Sequence, residues 1–215
     1  MPQNFTGSAV LVLAAGGGTR LGGGKLLLPW KGRPLLVHTL QKALNLPQML
    51  SVTVVLGHQA IKVQDCLEAN LVNYFLIRVV HNPDWEKGLS SSLQCGLGSL
   101  LNSSEATRLG SILVMLGDQP LVREQTLVQL CQSHNAACAV NPKHAATIPV
   151  YQGKRGNPVV LSCLIFPCLF KLSGDIGARA LLDAYKKDVL FLPVDDQGVI
   201  LDVDSPEDYA ALPEN

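Results

Sequence analysis

The chain has 215 residues, with 17 basic and 17 acidic side chains, 5 His and a formal charge of +0. Hydrophobic residues make up 47% and charged residues 16%, so the chain can bury a large core. That excludes an intrinsically disordered polymer and fits one domain. Balanced charge gives no global field to gather a polyanion, so nucleic-acid binding is not expected, whereas a small anionic ligand is compatible.

Residues 9–13 form a continuous apolar run that stops at Gly16-Gly17-Gly18, the pattern of a buried parallel strand feeding a glycine loop. Further apolar, β-branched runs at 52–56, 76–80 and 111–116 each end at a turn signal: Gly57, Asn82-Pro83 or Gly117-Asp118. Helical patterns lie between and after them at 34–44, 61–68, 90–101 and 123–134. The order βαβαβαβ predicts an α/β fold with a mostly parallel sheet and helices on both faces. Beyond it the spacing predicts a hairpin from 147–151 and 157–161, helices near 165–172 and 176–185, a strand at 189–194 and a closing helix that Ser205-Pro206-Glu207-Asp208 starts.

The apolar stretch 159–170 is interrupted by Ser162 and Pro167 and is too short to cross a bilayer, so no membrane span is expected. The start, Met1 to Thr6, lacks the basic flank and apolar run of a secretory signal, which points to the cytoplasm. Cys66, Cys95, Cys131, Cys138, Cys163 and Cys168 form no Cys-x-x-Cys pair and have no zinc-finger spacing to His; they read as reduced, mostly buried thiols. His38, His58, His81, His134 and His144 are scattered and suggest no triad or metal cluster.

Residues 14–25, Ala-Ala-Gly-Gly-Gly-Thr-Arg-Leu-Gly-Gly-Gly-Lys, place six glycines and two cations directly after the first strand, at the sheet edge where ligands bind in such folds. Glycines let successive backbone N–H groups surround an anion, and Arg20 and Lys25 add positive charge, so a triphosphate is the expected guest. A dinucleotide fingerprint fails, because position 21 is Leu and no acidic residue ends the second strand at Leu56-Gly57. A P-loop fails too: Thr19 stands at its first glycine and Leu26 at its hydroxyl. Asp118, after the apolar run 112–116, is presented at the same edge and is suited to a divalent cation, which takes one or two carboxylates plus phosphate oxygens and water. Residues 200–204 alternate, so a strand there would put Asp202 and Asp204 on one face.

Leu13-Ala14-Ala15-Gly16, Arg20-Leu21-Gly22 and Lys25 resemble the opening signature of the nucleotidyltransferases of the sugar-nucleotide and molybdenum cofactor type. With Lys25-Leu26-Leu27-Leu28-Pro29, Gly117-Asp118-Gln119-Pro120, Arg155-Gly156-Asn157-Pro158 and Gly174-Asp175-Ile176-Gly177-Ala178-Arg179 in order, the chain is most similar to the molybdenum cofactor cytidylyltransferases over nearly its whole length. Gly18 stands where such proteins often have Ser, and Asn157 where His is usual.

The resemblance implies a single Rossmann-like, GT-A-like nucleotidyltransferase domain over 1–215, with residues 1–120 as the nucleotide-binding half and 121–215 as the acceptor-binding half. It implies transfer of a cytidylyl group from CTP to the terminal phosphate of a molybdopterin-type cofactor, and a molybdoenzyme or its chaperone as a further partner. Arg20, Lys25 and Asp118 would be catalytic. Leu13, Ala14, Ala15, Gly16, Gly17, Gly18, Thr19, Gly57, Gly88 and Ser92 would bind the nucleotide. Asp118 and Asp204, with Asp202 in reserve, would hold Mg2+ or Mn2+, and Arg155, Asn157 and Arg179 would hold the acceptor. Three other readings stand beside it: a transferase using GTP or another phosphorylated acceptor, a non-catalytic nucleotide-binding protein that delivers the cofactor, and a dinucleotide-dependent oxidoreductase, which the missing acidic ribose ligand disfavours.

Overall fold

In a computed structural model that describes residues 7–18, 21–175 and 177–213, the side chains of Arg179 and Ala180 excepted, the first apolar run is β1, Gly7–Ala14. Its alternation sorts two cores: Val10, Val12 and Ala14 pack on one side of the sheet, and Ala9, Leu11 and Leu13 on the other. β1 pairs in parallel with β4, Met49–Leu56, on one side and with β6, Leu109–Leu116, on the other; β4 pairs in parallel with β5, Ile77–His81. A short hairpin of β2, Pro29–Trp30, and β3, Arg33–Pro34, lies outside this sheet. Its Lys31-Gly32 turn has both φ angles positive, 48° and 74°, the two-residue type that matches strand twist. The sequence reading does not anticipate it, because two-residue strands carry no periodicity.

Helices cover both faces, as expected. α1, Leu35–Leu44, α2, Ala60–Asn70, and α4, Glu124–Val140, contribute Leu36, Leu40, Val63, Leu67, Leu127 and Leu130 to the core that contains Val10 and Val12. α3, Leu89–Leu101, α5, Phe166–Leu169, and α6, Arg179–Ala184, serve the other core, with Leu93, Leu97, Phe166, Leu169 and Leu182.

The second half makes the sheet mixed. β7, Ala146–Tyr151, turns back into β8, Lys154–Arg155, and β9, Val159–Ser162, runs antiparallel between β6 and β7, while β10, Val189–Pro193, pairs in parallel with β7. The expected pairing of 147–151 with 157–161 forms as β7 against β9, with the short β8 inserted in the turn and paired back onto the end of β7. The order β10-β7-β9-β6-β1-β4-β5 reverses its direction of growth at β1/β6, the switch point where ligands bind in open sheets. The alternating segment 201–204 is not a strand; it follows a 3-10 turn, Gln197–Ile200, and leads into α7, Pro206–Ala210. The Ser205 start is as expected: its hydroxyl accepts from Asp208 N, and the Asp208 carboxylate accepts from Ser205 N.

All six cysteines are free, but only Cys131 is buried and the other five are partly exposed, which corrects the expectation of mostly buried thiols. Among the described residues no helix is long and apolar enough to cross a membrane.

Candidate active site

The register of the central strands sets the site. Leu13 lies opposite both Val55 and Leu116, and Gly117 N donates to Leu13 O at 2.9 Å, so the loops after β1 and β6 leave the sheet side by side. Between them is a cavity of about 750 Å³ lined by residues 13–18, Lys25, Trp85, Gly88, Ser92, Asp118, Gly174, Asp202 and Asp204. Among the described residues the amide N–H groups of Gly16, Gly17 and Gly18 find no acceptor in the protein, as an anion cradle requires.

At the head of this cavity the Lys25 ammonium sits 2.5 Å from Asp118 Oδ2 and 2.5 Å from Asp204 Oδ1. Burial by itself would lower the Lys25 pKa, but the two carboxylates, Asp118 foremost, reverse this and hold it above the ordinary lysine value. The Asp202 carboxyl is also raised, above the usual carboxylate range, but here burial first and then the charges of Asp204 and Asp118 all act in that direction. Lys25 reaches this position because Gly18, at φ +55°, has no side chain; a Cβ there would lie 2.8 Å from Lys25 Cγ.

The acid groups suit a divalent cation held jointly with phosphate. Asp118 Oδ1 is buried and has no hydrogen-bond partner among the described residues, which leaves a carboxylate oxygen for a ligand. No three His, Cys, Asp or Glu among the described residues enclose a metal by themselves. Mg2+ rarely needs such a cage, because substrate phosphates and water complete its octahedron.

Other expected residues fall variously. Arg20 and Thr19 lie outside the described residues, as does the Arg179 side chain, although Arg179 opens α6. Gly57 does not line the phosphate cavity: a Cβ there would come within 2.4 Å of Trp85 Cβ and 2.7 Å of Ala15 O, so the residue lets Trp85 pack against the loop. Gly88 does line the cavity, and a Cβ there would meet Gly174 at 2.6 Å. Asp175 Oδ1 accepts from Leu89 N at the start of α3, 3.2 Å away. Ser92 is buried and its hydroxyl is engaged by Asn82 Nδ2 at 3.1 Å. In sequence Asn82 marks only a turn. It also accepts from Asp84 N and so shapes the loop beneath Trp85.

A second cavity, of about 1040 Å³, adjoins the first, and the two share Leu13, Leu89, Leu116, Asp175 and Asp202 as walls. Arg155 and Asn157 line it; Arg155 pairs with Asp183 at 2.8 Å and lies 4.6 Å over the Phe191 ring. Both cavities draw walls from both halves of the chain.

The MobA-like NTP transferase domain matches residues 10–189. Nicotine blue oxidoreductase of Paenarthrobacter nicotinovorans is 34% identical over 204 residues, 94% of each chain. Molybdenum cofactor cytidylyltransferase of Escherichia coli K12 is 23% identical over 206 residues, 95% of this chain and 94% of that one. The crystal structure of Rv0371c from Mycobacterium tuberculosis H37Rv superposes with a TM-score of 0.77 at 29% identity, covering 97% of this chain and 98% of that one. Its complex with manganese gives 0.74 at 29%, covering 96% and 98%. The match over residues 10–189, which takes in the glycine loop and most of the switch-point cavity, identifies this chain as a member of the MobA-like NTP transferase family.

Proposed function

We propose that the protein is a divalent-metal-dependent nucleotidyltransferase that moves a cytidylyl group from CTP to the terminal phosphate of a molybdopterin-type cofactor. The observation that carries this reading is the glycine loop with its unengaged N–H groups facing a cavity headed by Lys25, Asp118 and Asp204. An acceptor phosphate oxygen forms a bond to the α-phosphorus, the bond from that phosphorus to the α–β bridging oxygen breaks, and pyrophosphate leaves with the electron pair. The nucleophile is already ionised near neutral pH, so no protein nucleophile is needed; alignment and charge neutralisation suffice.

In this reading the loop 13–18 and Thr19 cradle the phosphates, Arg20 and Lys25 neutralise the departing pyrophosphate, and Gly88 and Ser92 lie on the base side. Asp118 and Asp204 hold Mg2+ or Mn2+, which when bound supplies a positive charge to the phosphoryl oxygens. The manganese complex of the structural relative supports a divalent ion of this kind. Residues 1–120 supply most of the nucleotide site; Arg155, Asn157 and Arg179, from 121–215, take the acceptor. The reaction belongs in the cytoplasm, and a molybdoenzyme or its chaperone would receive the product.

Purified protein is tested with CTP, GTP, ATP and UTP, each with Mg2+ or Mn2+ and a molybdopterin-type acceptor, for pyrophosphate release. Acceptor-dependent release with CTP is expected. Release with GTP alone would move the base assignment, and none with any nucleotide would overturn the transfer. The similarity to nicotine blue oxidoreductase favours one second reading, in which the same cradle holds the pyrophosphate of a nicotinamide dinucleotide. Quenching of NADH or NADPH fluorescence by the protein, with dye-dependent oxidation, would select it.

A further inference from the structure

Asp118 and Asp204 converge on a cation that the chain itself supplies. The Lys25 ammonium donates to Asp118 Oδ2 and to Asp204 Oδ1, each at 2.5 Å, so one oxygen of each carboxylate faces the same point. A divalent ion drawing on those oxygens would stand in near contact with the ammonium, and burial of Lys25 leaves their repulsion little screened. The two cations exclude each other. The lysine also has a second place within reach. Its stem runs along the glycine loop, where a Cβ on Gly18 would lie 2.8 Å from Lys25 Cγ and 3.1 Å from Cδ, and Lys25 lines the phosphate cavity together with Gly16, Gly17 and Gly18. An ammonium on a chain of rotatable bonds can turn from the carboxylates toward that cavity while its backbone stays fixed.

We propose that Lys25 is a built-in counter-cation that keeps a divalent ion off Asp118 and Asp204 until a triphosphate in the glycine loop draws the ammonium away. Nucleotide and metal then bind with positive coupling, each raising the affinity for the other by the same factor. Exclusion of the metal by Lys25 rests on Asp118 and Asp204 as its ligands, as read above. Lys25 thereby acts in two opposed ways: it hinders the ion before the nucleotide arrives and neutralises phosphate charge afterwards. Removing its charge should raise metal affinity while lowering turnover, a pair of opposite signs that a merely structural lysine would not give.

The test measures Mn2+ binding to the purified protein without nucleotide, by loss of the free-ion electron paramagnetic resonance signal. Lys25→Met, which keeps the stem and removes the charge, is expected to bind Mn2+ about tenfold more tightly than wild type, the effect of one charge-assisted contact that no longer has to be displaced. Lys25→Arg, which keeps a charge, should bind as weakly as wild type. Thermal unfolding covers a variant that is less stable: Mn2+ should raise the Tm of Lys25→Met by more than that of wild type. Affinity and Tm gain no greater than in wild type, or a gain equally large in Lys25→Arg, would overturn the role of Lys25. If Asp118→Asn in the wild-type background still weakened Mn2+ binding, the metal reading would survive that result. Asp118→Asn combined with Lys25→Met should abolish the gain; a gain that persists would place the ion elsewhere and remove the metal reading together with the role of Lys25.

Discussion

Lys25 is 8% exposed, yet it is charged and touches two carboxylates, an arrangement that is stable only as a paired network. Its raised pKa keeps the ammonium in place through the physiological range, ready to meet a phosphate. In the transferase reading Lys25→Ala removes a charge aimed at the departing pyrophosphate, so CTP-dependent turnover should fall by roughly two to three orders of magnitude. Steady-state kinetics of the variant checks this, and an unchanged kcat would remove Lys25 from the chemistry. Asp118 and Lys25 were legible as site residues because each closes a loop at the strand edge. Lys25's place between two carboxylates was not, since Asp204 lies 179 residues away in sequence.

At the scale of elements, the acid-bearing loops are held by groups with no motif of their own. The Asp196 carboxylate, 2% exposed, accepts from Arg123 N at 2.9 Å, Thr126 Oγ1 at 2.6 Å and Gly198 N at 3.0 Å, tying the start of α4 to the segment that carries Asp202 and Asp204. Lys42 of α1 donates to the Pro120 and Val122 carbonyls and so clamps the loop after Asp118; burial lowers its pKa, with Asp196 and Glu124 opposing. Asp196→Ala would leave two buried donors, Thr126 Oγ1 and Gly198 N, and the part-buried Arg123 N without their acceptor, and is expected to cost about 3 kcal/mol in urea-induced unfolding. Thr126→Val, which deletes one donor and leaves the carboxylate two others, should cost about 1 kcal/mol. A loss for Asp196→Ala no larger than for Thr126→Val would refute the tie. The long strands and helices were legible because periodicity marks them, whereas the alternation at 200–204 marked no strand and the two-residue β2 and β3 carried none. Asp196, in a polar stretch without periodicity, gave no such mark.

For the whole molecule, the far end of the sheet buries a basic pair whose protonation is linked to folding. His134 of α4 and His144 both approach Thr147 Oγ1, at 3.2 and 3.0 Å, with ring centroids 4.9 Å apart. Burial, then the neighbouring His144, pushes the His134 pKa down to about 4; burial also lowers that of His144, partly offset by Asp188. The unfolded chain takes up the His134 proton near pH 6.5, the folded chain only near 4, so between them the unfolded state binds more protons and stability falls as pH drops. The loss from His134 should total about 3 kcal/mol across that window, with none above about pH 7. Urea unfolding at stepped pH checks it: His134→Gln should flatten the slope, and an unchanged slope would place the linkage elsewhere. The pairing was invisible in sequence because it arises where the connection from α4 to β7 folds His144 back against His134, with Thr147 of β7 between them.

Local order is what the sequence determined alone: where apolar runs become strands, where the 3.6-residue pattern becomes helices, and where glycines and Asp118 must stand once β1 and β6 end. Those features depend on neighbours within a few residues, and their physics is steric and hydrophobic. Tertiary structure alone decided which distant groups share a space: Lys25 with Asp118 and Asp204, Asn82 with Ser92, and Asp196 with Thr126. Those relations arise from strand register and from β9 inserting antiparallel beside β6, long-range pairings that no local pattern encodes.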